Sequence, residues 1–352
     1  MTTATKKLVY FEKWMNPVAE NILGGENGVD LQRLSFDDAP DGNWAALEQA
    51  HGYQLLASNE IRPPFIPGRP LIERCSNLLA LSVTGAGYDM IDVDACTEAG
   101  ILVVNQAGAN AESVAQHVLG MMLALSKQIV QSDRRMRRPP DGWTRMDYQG
   151  KELTGRTLGI IGLGNVGRRV SALAKAFNMR VIAHDPHIGP DEFRERGAEE
   201  AGFEEVFAES DFVSVNCPLS DETRAMIGAK ELALMKETAF FITTARGGIH
   251  DETALAAALA GRSIAGAGLD VFKEEPPPFD HPLMSFDNVI VSPHIAGITD
   301  DCTYNMAASA AEQWLTIFAA RRPPRLINPE AWPAYRGRFE EMFGVPAEEA
   351  ED

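Results

Sequence analysis

The stretch that most restricts the fold is a glycine-rich turn whose surroundings are intact. Gly162-Leu163-Gly164-Asn165-Val166-Gly167 follows the apolar run Thr157–Ile161 and opens a helical stretch over 168–177, and Asp185 closes the next apolar run. Three spaced glycines alone are a weak signal. With a strand before, a helix after and an acid about 20 residues on, they mark a doubly wound sheet that holds a dinucleotide. Gly162 permits the tight turn, Gly164 lets backbone approach a pyrophosphate, and Gly167 allows the helix to pack closely on the strand. Asn165 and Val166 present N–H groups at the helix N-terminus, where a pyrophosphate is favoured. Asp185 is suited to accept hydrogen bonds from ribose hydroxyls. A 2′-phosphate would meet its charge with no arginine among His184, Pro186 and His187, so NAD is expected over NADP. His184 and His187 lack further ligands at suitable spacing, and no metal is expected.

Apolar runs alternate with helical stretches along the whole chain, which implies parallel sheets with helical crossovers. Strands are expected at 8–11, 54–57, 78–83 and 101–105, with a short helix at 45–50. After a long helix over 110–136, stopped by Pro139-Pro140, come six more strands: Thr157–Ile161, Arg180–His184, 212–216, 239–243, Gly266–Leu269 and Val289–Val291. A helix over 306–320 returns to the first half. The expected fold is α/β, with two doubly wound parallel-sheet (Rossmann-like) domains and a cleft between them. Residues 1–107 with 300–352 form a flavodoxin-like substrate domain, and 108–299 the NAD-binding domain. The segment 141–155, polar but carrying Trp143, Met146 and Tyr148, reads as an arm against another subunit.

Three residues that can act on a small acid each follow an apolar strand, where open α/β sheets bind ligands. Arg246 comes after Phe240-Phe241-Ile242-Thr243-Thr244-Ala245, and a guanidinium can grip a carboxylate with two N–H groups while polarising a neighbouring carbonyl. His294, in Ser292-Pro293-His294, can supply the proton that ketone reduction needs. A carboxylate would stabilise its imidazolium and orient the ring; Glu275 is the natural partner, and Glu274 competes from spacing alone. Asp270 ends the run Gly266–Leu269 at the expected nicotinamide end. In the first half, Thr84-Gly85-Ala86-Gly87 is a turn whose consecutive N–H groups can cradle an anion, here the substrate carboxylate.

Composition limits the partners. The chain has 352 residues and a net charge of −18, from 50 acidic and 32 basic side chains. That disfavours nucleic acid. It would also repel an anionic substrate at long range, but salt screens distant charge over about 8 Å, so a local arginine can dominate its own site. No apolar run is long enough to span a bilayer, and residues 1–10 lack a secretory pattern. The four cysteines are scattered without a paired motif, which reads as a reduced, cytoplasmic protein. The acidic end, 347–352, reads as a solvated tail.

Taken together, the chain resembles the D-isomer-specific 2-hydroxyacid dehydrogenases, the family of glyoxylate/hydroxypyruvate reductases, D-lactate dehydrogenases and phosphoglycerate dehydrogenases. The resemblance rests on Thr84-Gly85-Ala86-Gly87-Tyr88-Asp89-Met90-Ile91-Asp92, Asn110-Ala111-Glu112-Ser113-Val114-Ala115, the Leu158 to Gly167 stretch, Thr244-Ala245-Arg246-Gly247-Gly248, Gly268-Leu269-Asp270-Val271-Phe272 and Ser292-Pro293-His294-Ile295-Ala296-Gly297. It implies Arg246, Glu275 and His294 as the catalytic set, choosing Glu275 through its step to Pro276. It implies cofactor contacts at Gly162, Gly164, Asn165, Val166, Gly167, Asp185, Cys217, Pro218, Thr223, Thr244, Ala245, Arg246, Asp270, His294 and Gly297, and substrate contacts at Thr84, Gly85, Ala86, Gly87 and Arg246. A homodimer formed through the cofactor domain is also implied. Tyr88, Met90, Gln106-Ala107 and Gln116 depart from the family's commoner residues. The expected reaction is NAD-dependent interconversion of a D-2-hydroxy acid and its 2-oxo acid. The alternatives are an NAD(H)-sensing protein like the co-repressors on this scaffold, and phosphite oxidation.

Overall fold

The computed structural model describes residues 5–24, 28–56, 60–139 and 142–347. The chain divides into two compact units, Met1–Asn110 with Asp300–Asp352, and Ala111–Thr299.

The first unit holds a five-stranded parallel sheet of β1 (Lys6–Phe11), β2 (Val29–Leu34), β3 (Gly52–Leu55), β4 (Ala80–Val83) and β5 (Leu102–Val104), in the order β2-β1-β3-β4-β5. Both faces are buried, because successive side chains on a strand point to opposite sides. On β1, Leu8 and Tyr10 enter one core while Val9 and Phe11 enter the other; Leu102 and Val104 on β5 are likewise divided from Val103. The first core is completed by late residues of the chain, Trp314 and Ile317 on the helix Asp300–Phe318 and Tyr335 and Phe339 on Trp332–Phe343. Trp314 donates its indole N–H to Gln54 Oε1 at 2.8 Å, and Gln313 Nε2 donates to the Asn105 carbonyl at 2.8 Å.

The second unit holds β6 (Thr157–Ile161), β7 (Arg180–His184), β8 (Glu199–Glu200), β9 (Phe212–Val215), β10 (Phe240–Thr243), β11 (Gly266–Leu269) and β12 (Val289–Val291). All pairs are parallel and the order is β12-β11-β10-β9-β6-β7-β8. From β6 the chain winds outward to β7 and β8, then returns to β9 on the other side. The carboxyl ends of β6 and β9 therefore flank the point where the winding reverses, the usual ligand site of such sheets.

Some sequence expectations differ from the structure. The first sheet has a fifth strand, β2, that was not expected; it is an edge strand with half of its residues exposed, so it lacks a strong apolar run. The expected strand 54–57 is β3, beginning at Gly52; position 57 lies outside the described residues. The single helix over 110–136 is two, Ala111–Ser126 and Ile129–Met136, because Gln128 adopts a left-handed φ of 52° between them. The helix at 45–50 is Pro40–Glu48, and that at 306–320 begins at Asp300. Position 141 of the expected arm lies outside the described residues, as does 348–352; Ala347, read as part of a solvated tail, is buried in the first unit's core. Among the described residues no helix is long and apolar enough to cross a membrane.

Candidate active site

The glycine turn leaves β6 with Gly162 at a φ of +87°, a conformation that side chains disfavour, and a Cβ there would meet the Cys217 backbone nitrogen at 2.7 Å. A Cβ on Gly167 would overlap the Gly162 carbonyl oxygen, whereas nothing lies within 4 Å of one on Gly164. The turn is thus packed tightly against its own helix, Asn165–Ala176, and open at Gly164. A cavity of about 380 Å³ adjoins it, lined in part by Gly162, Gly164, Asp185, Asn216, Cys217 and Thr223.

Asp185 is held in place by backbone donors, Leu163 N–H to Oδ2 at 2.9 Å and His187 N–H to Oδ1 at 3.1 Å. Among the described residues the other carboxyl side chain lining the cavity is that of Glu222, which lies 3.4 Å from His187 Nε2, and no lysine or arginine lines it. A ribose diol suits this rim, and a 2′-phosphate would face two carboxylates. The buried Asn216 Oδ1 and Thr244 Oγ1, just beyond β9 and β10, have no hydrogen-bond partner among the described residues. Unsatisfied buried acceptors and hydroxyls are costly, and a ligand that bonds them relieves that cost. The residues present therefore fit a dinucleotide. Burial pushes the Cys217 thiol up to about 12, so it lines the cavity as a neutral group. The Thr223 hydroxyl donates to the Pro218 carbonyl at 2.7 Å and shapes that loop.

The loops after β10, β11 and β12, three neighbouring strands, bring Arg246, Glu275 and His294 together. Gly247 lies so close to the next loop that a Cβ would overlap the Phe272 carbonyl, and this seats the Arg246 loop on the segment leading to Glu275. Glu275 Oε1 accepts from the Phe272 N–H at 3.0 Å, and Oε2 lies 2.7 Å from His294 Nδ1. Glu274 is exposed. Burial works to raise the Glu275 carboxyl, but hydrogen bonds from His294 and the Phe272 N–H, with the charges of His294 and Arg246, hold it below its ordinary value. Arg246 is close enough to act on that carboxylate, and its Nη1 also donates to the Ala245 carbonyl at 2.8 Å. With Nδ1–H directed at Glu275, His294 Nε2 is the nitrogen left to exchange a proton.

This depressed carboxyl sets the sign of one pH effect. Its stabilising contribution is complete above the ordinary value of 4.5 and is lost as pH falls through the lower folded value. Wild type should therefore melt above Glu275→Gln at neutral pH, and the gap should close in strong acid; thermal melts of both across pH check this.

Asp270, expected at the nicotinamide end, also takes part in a network of its own. Its carboxylate is 0% exposed and accepts from Ser292 Oγ at 2.6 Å, Ile295 N–H at 2.9 Å and Ala296 N–H at 2.9 Å, so it holds the His294 loop. Ser292 and His117, which completes this network, were not singled out from sequence: a histidine among the apolar residues of a helix gives no separate signal. Gly297 follows the same loop. In the first unit, Thr84 to Gly87 leave the carboxyl end of β4. The Thr84 hydroxyl donates to the Leu55 carbonyl and the Ala86 carbonyl accepts from Asn105 Nδ2 at 2.7 Å, while the N–H groups of Gly85, Ala86 and Gly87 have no acceptor among the described residues.

A doubly wound sheet with a dinucleotide turn, and an arginine and a carboxylate-bound histidine at its carboxyl edge, defines a nicotinamide-dependent oxidoreductase. Residues 119–296 match the family described as "D-isomer specific 2-hydroxyacid dehydrogenase, NAD binding domain". A glyoxylate reductase of Aeropyrum pernix is 40% identical over 265 residues, 74% of this chain and 79% of that one. The crystal structure of a glyoxylate reductase from Paecilomyes thermophila, 28% identical, has a TM-score of 0.80 and covers 93% of this chain and 99% of its own. That of a D-lactate dehydrogenase from Aquifex aeolicus complexed with NAD and lactic acid is 25% identical, with a TM-score of 0.76 over 91% of this chain and 99% of its own. The chain belongs to the D-isomer-specific 2-hydroxyacid dehydrogenase family. It is an NAD-dependent oxidoreductase, and the co-repressor-like reading is set aside.

Proposed function

We propose that this protein reduces a small 2-oxo acid to its D-2-hydroxy acid, and runs the reverse reaction, with Arg246, Glu275 and His294 as its catalytic residues. The observation that carries the reading is the 2.7 Å contact between Glu275 Oε2 and His294 Nδ1 beside Arg246. Gly162 to Gly167, Asp185, Asn216 and Thr244 hold the dinucleotide. When bound, NADH supplies the hydride equivalent that reduces the carbonyl carbon. Arg246 grips the substrate carboxylate and polarises the carbonyl. His294 gives its Nε2 proton to the carbonyl oxygen and keeps its Nδ1–H on Glu275, whose charge stabilises the imidazolium before transfer. Residues 1–107 with 300–352 serve as the substrate domain, where the N–H groups of Gly85 to Gly87 can take an anion; residues 108–299 serve the cofactor.

Glyoxylate and hydroxypyruvate are the substrates of first choice. NADH oxidation against these, pyruvate and bulkier 2-oxo acids, repeated with NADPH, tests the reading. Absence of turnover with every acid would refute it, and equal use of NADPH would refute the role given to Asp185.

A cytoplasmic homodimer completes the reading. Ile129, Met136, Trp143 and Met146 are exposed apolar side chains within 129–148, with Met136 65% and Met146 61% exposed. Apolar groups gathered on one segment favour burial against another chain. Met136→Glu with Met146→Glu should convert a dimer to monomer in light scattering coupled to size-exclusion chromatography; an unchanged mass argues against this surface.

A further inference from the structure

We propose that His117, on the helix Ala111–Ser126, is a positioning residue for the reaction: through Ser292 it fixes the Asp270 carboxylate that carries the His294 loop. The proposal deepens the function above and rests on His294 being the proton donor.

The direction of each hydrogen bond follows from the number of protons available. Asp270 is wholly buried and takes three donors, two of them the backbone N–H groups of Ile295 and Ala296 at 2.9 Å. The third is Ser292 Oγ at 2.6 Å. A hydroxyl has one proton, and here it goes to the carboxylate. Toward His117 Nε2, 3.0 Å away, Ser292 Oγ can therefore only accept. His117 must carry its proton on Nε2, which also sets that N–H 3.7 Å from Asp270 Oδ1. The result is a one-way chain, His117 to Ser292 to Asp270, in which each member determines the orientation of the next.

The loop at the end of the chain needs such support. His294 has a left-handed φ of 55°, a region that non-glycine residues occupy at a cost unless the surroundings hold them there. Its N–H donates to the Asp270 carbonyl at 2.8 Å, so main chain and side chain of Asp270 both grip the segment around it. One turn before His117 on the same helical face, Ser113 donates to the Ala296 carbonyl at 2.7 Å. The helix thus ties the loop at two points on one face. His117 remains reachable, its side chain 25% exposed at a cavity of about 500 Å³ between this helix and residues 290–299.

The test compares His117→Phe, which keeps the ring and removes the donor, with His117→Gln, whose amide can donate to Ser292. Loss of the donor should lower kcat for NADH-dependent glyoxylate reduction by between about tenfold and a hundredfold, the scale of a small misplacement of a reacting group. KM for glyoxylate should change little, and His117→Gln should recover most of the turnover. Ser292→Ala breaks the same chain by one atom and should lower kcat similarly; the double variant with His117→Phe should be no worse than either single one. If His117→Phe does not fold, Ser292→Ala alone is read in the same way. Wild-type turnover in these variants, no recovery with glutamine, or additive losses would each overturn the proposal. In those cases the wild-type enzyme still reduces glyoxylate and still depends on His294. If it does not, the functional reading fails and this proposal with it.

Discussion

Replacing His294 with asparagine should lower kcat for 2-oxo acid reduction by about 100- to 10,000-fold, the usual contribution of an acid–base group. Asparagine is the informative choice because position 294 has a φ of 55°, which asparagine tolerates better than most residues. The loop then keeps its shape while the proton donor is gone. The binding of NADH, measured by fluorescence titration, should stay close to that of the wild type. Glu275→Gln should cost less, since histidine remains but loses the charge 2.7 Å from Nδ1. Near-normal kcat in His294→Asn would remove His294 from the mechanism.

Two glycines in one turn should respond to the same substitution in opposite ways. Gly167→Ala places a methyl group on the Gly162 carbonyl oxygen, and neither backbone segment can yield without parting the helix Asn165–Ala176 from β6. The expected cost is about 3 kcal/mol, the upper part of the range for overpacking. Gly164→Ala meets nothing within 4 Å and should leave the melting temperature almost unchanged. It should nevertheless weaken NADH binding, because the methyl group enters space that the proposed function gives to the dinucleotide. A Gly164→Ala variant that binds NADH normally would show that this space is not used.

Part of the candidate site was readable because three of its residues each follow an apolar strand in a parallel sheet. Arg246, Asp270 and His294 stand just past β10, β11 and β12, and three adjacent strands bring three distant stretches of sequence to one edge. The partner of His294 was less legible, because Glu274 and Glu275 have nearly the same spacing. Only the fold exposes one and turns the other to Nδ1. The role of Asp270 in holding a loop was hidden, since it depends on backbone N–H groups that no residue type reveals. β2 escaped because an exposed edge strand needs few apolar residues. The break at Gln128 escaped because helical spacing of apolar residues persists on both sides of it.

The first unit draws one of its two cores from opposite ends of the chain, with Leu8 and Leu102 packed in the same cluster as Trp314 and Tyr335. During synthesis, the opening sheet lacks the late part of one greasy side until the whole second unit has left the ribosome. Birth order and completion order are therefore reversed: the half begun first is finished last.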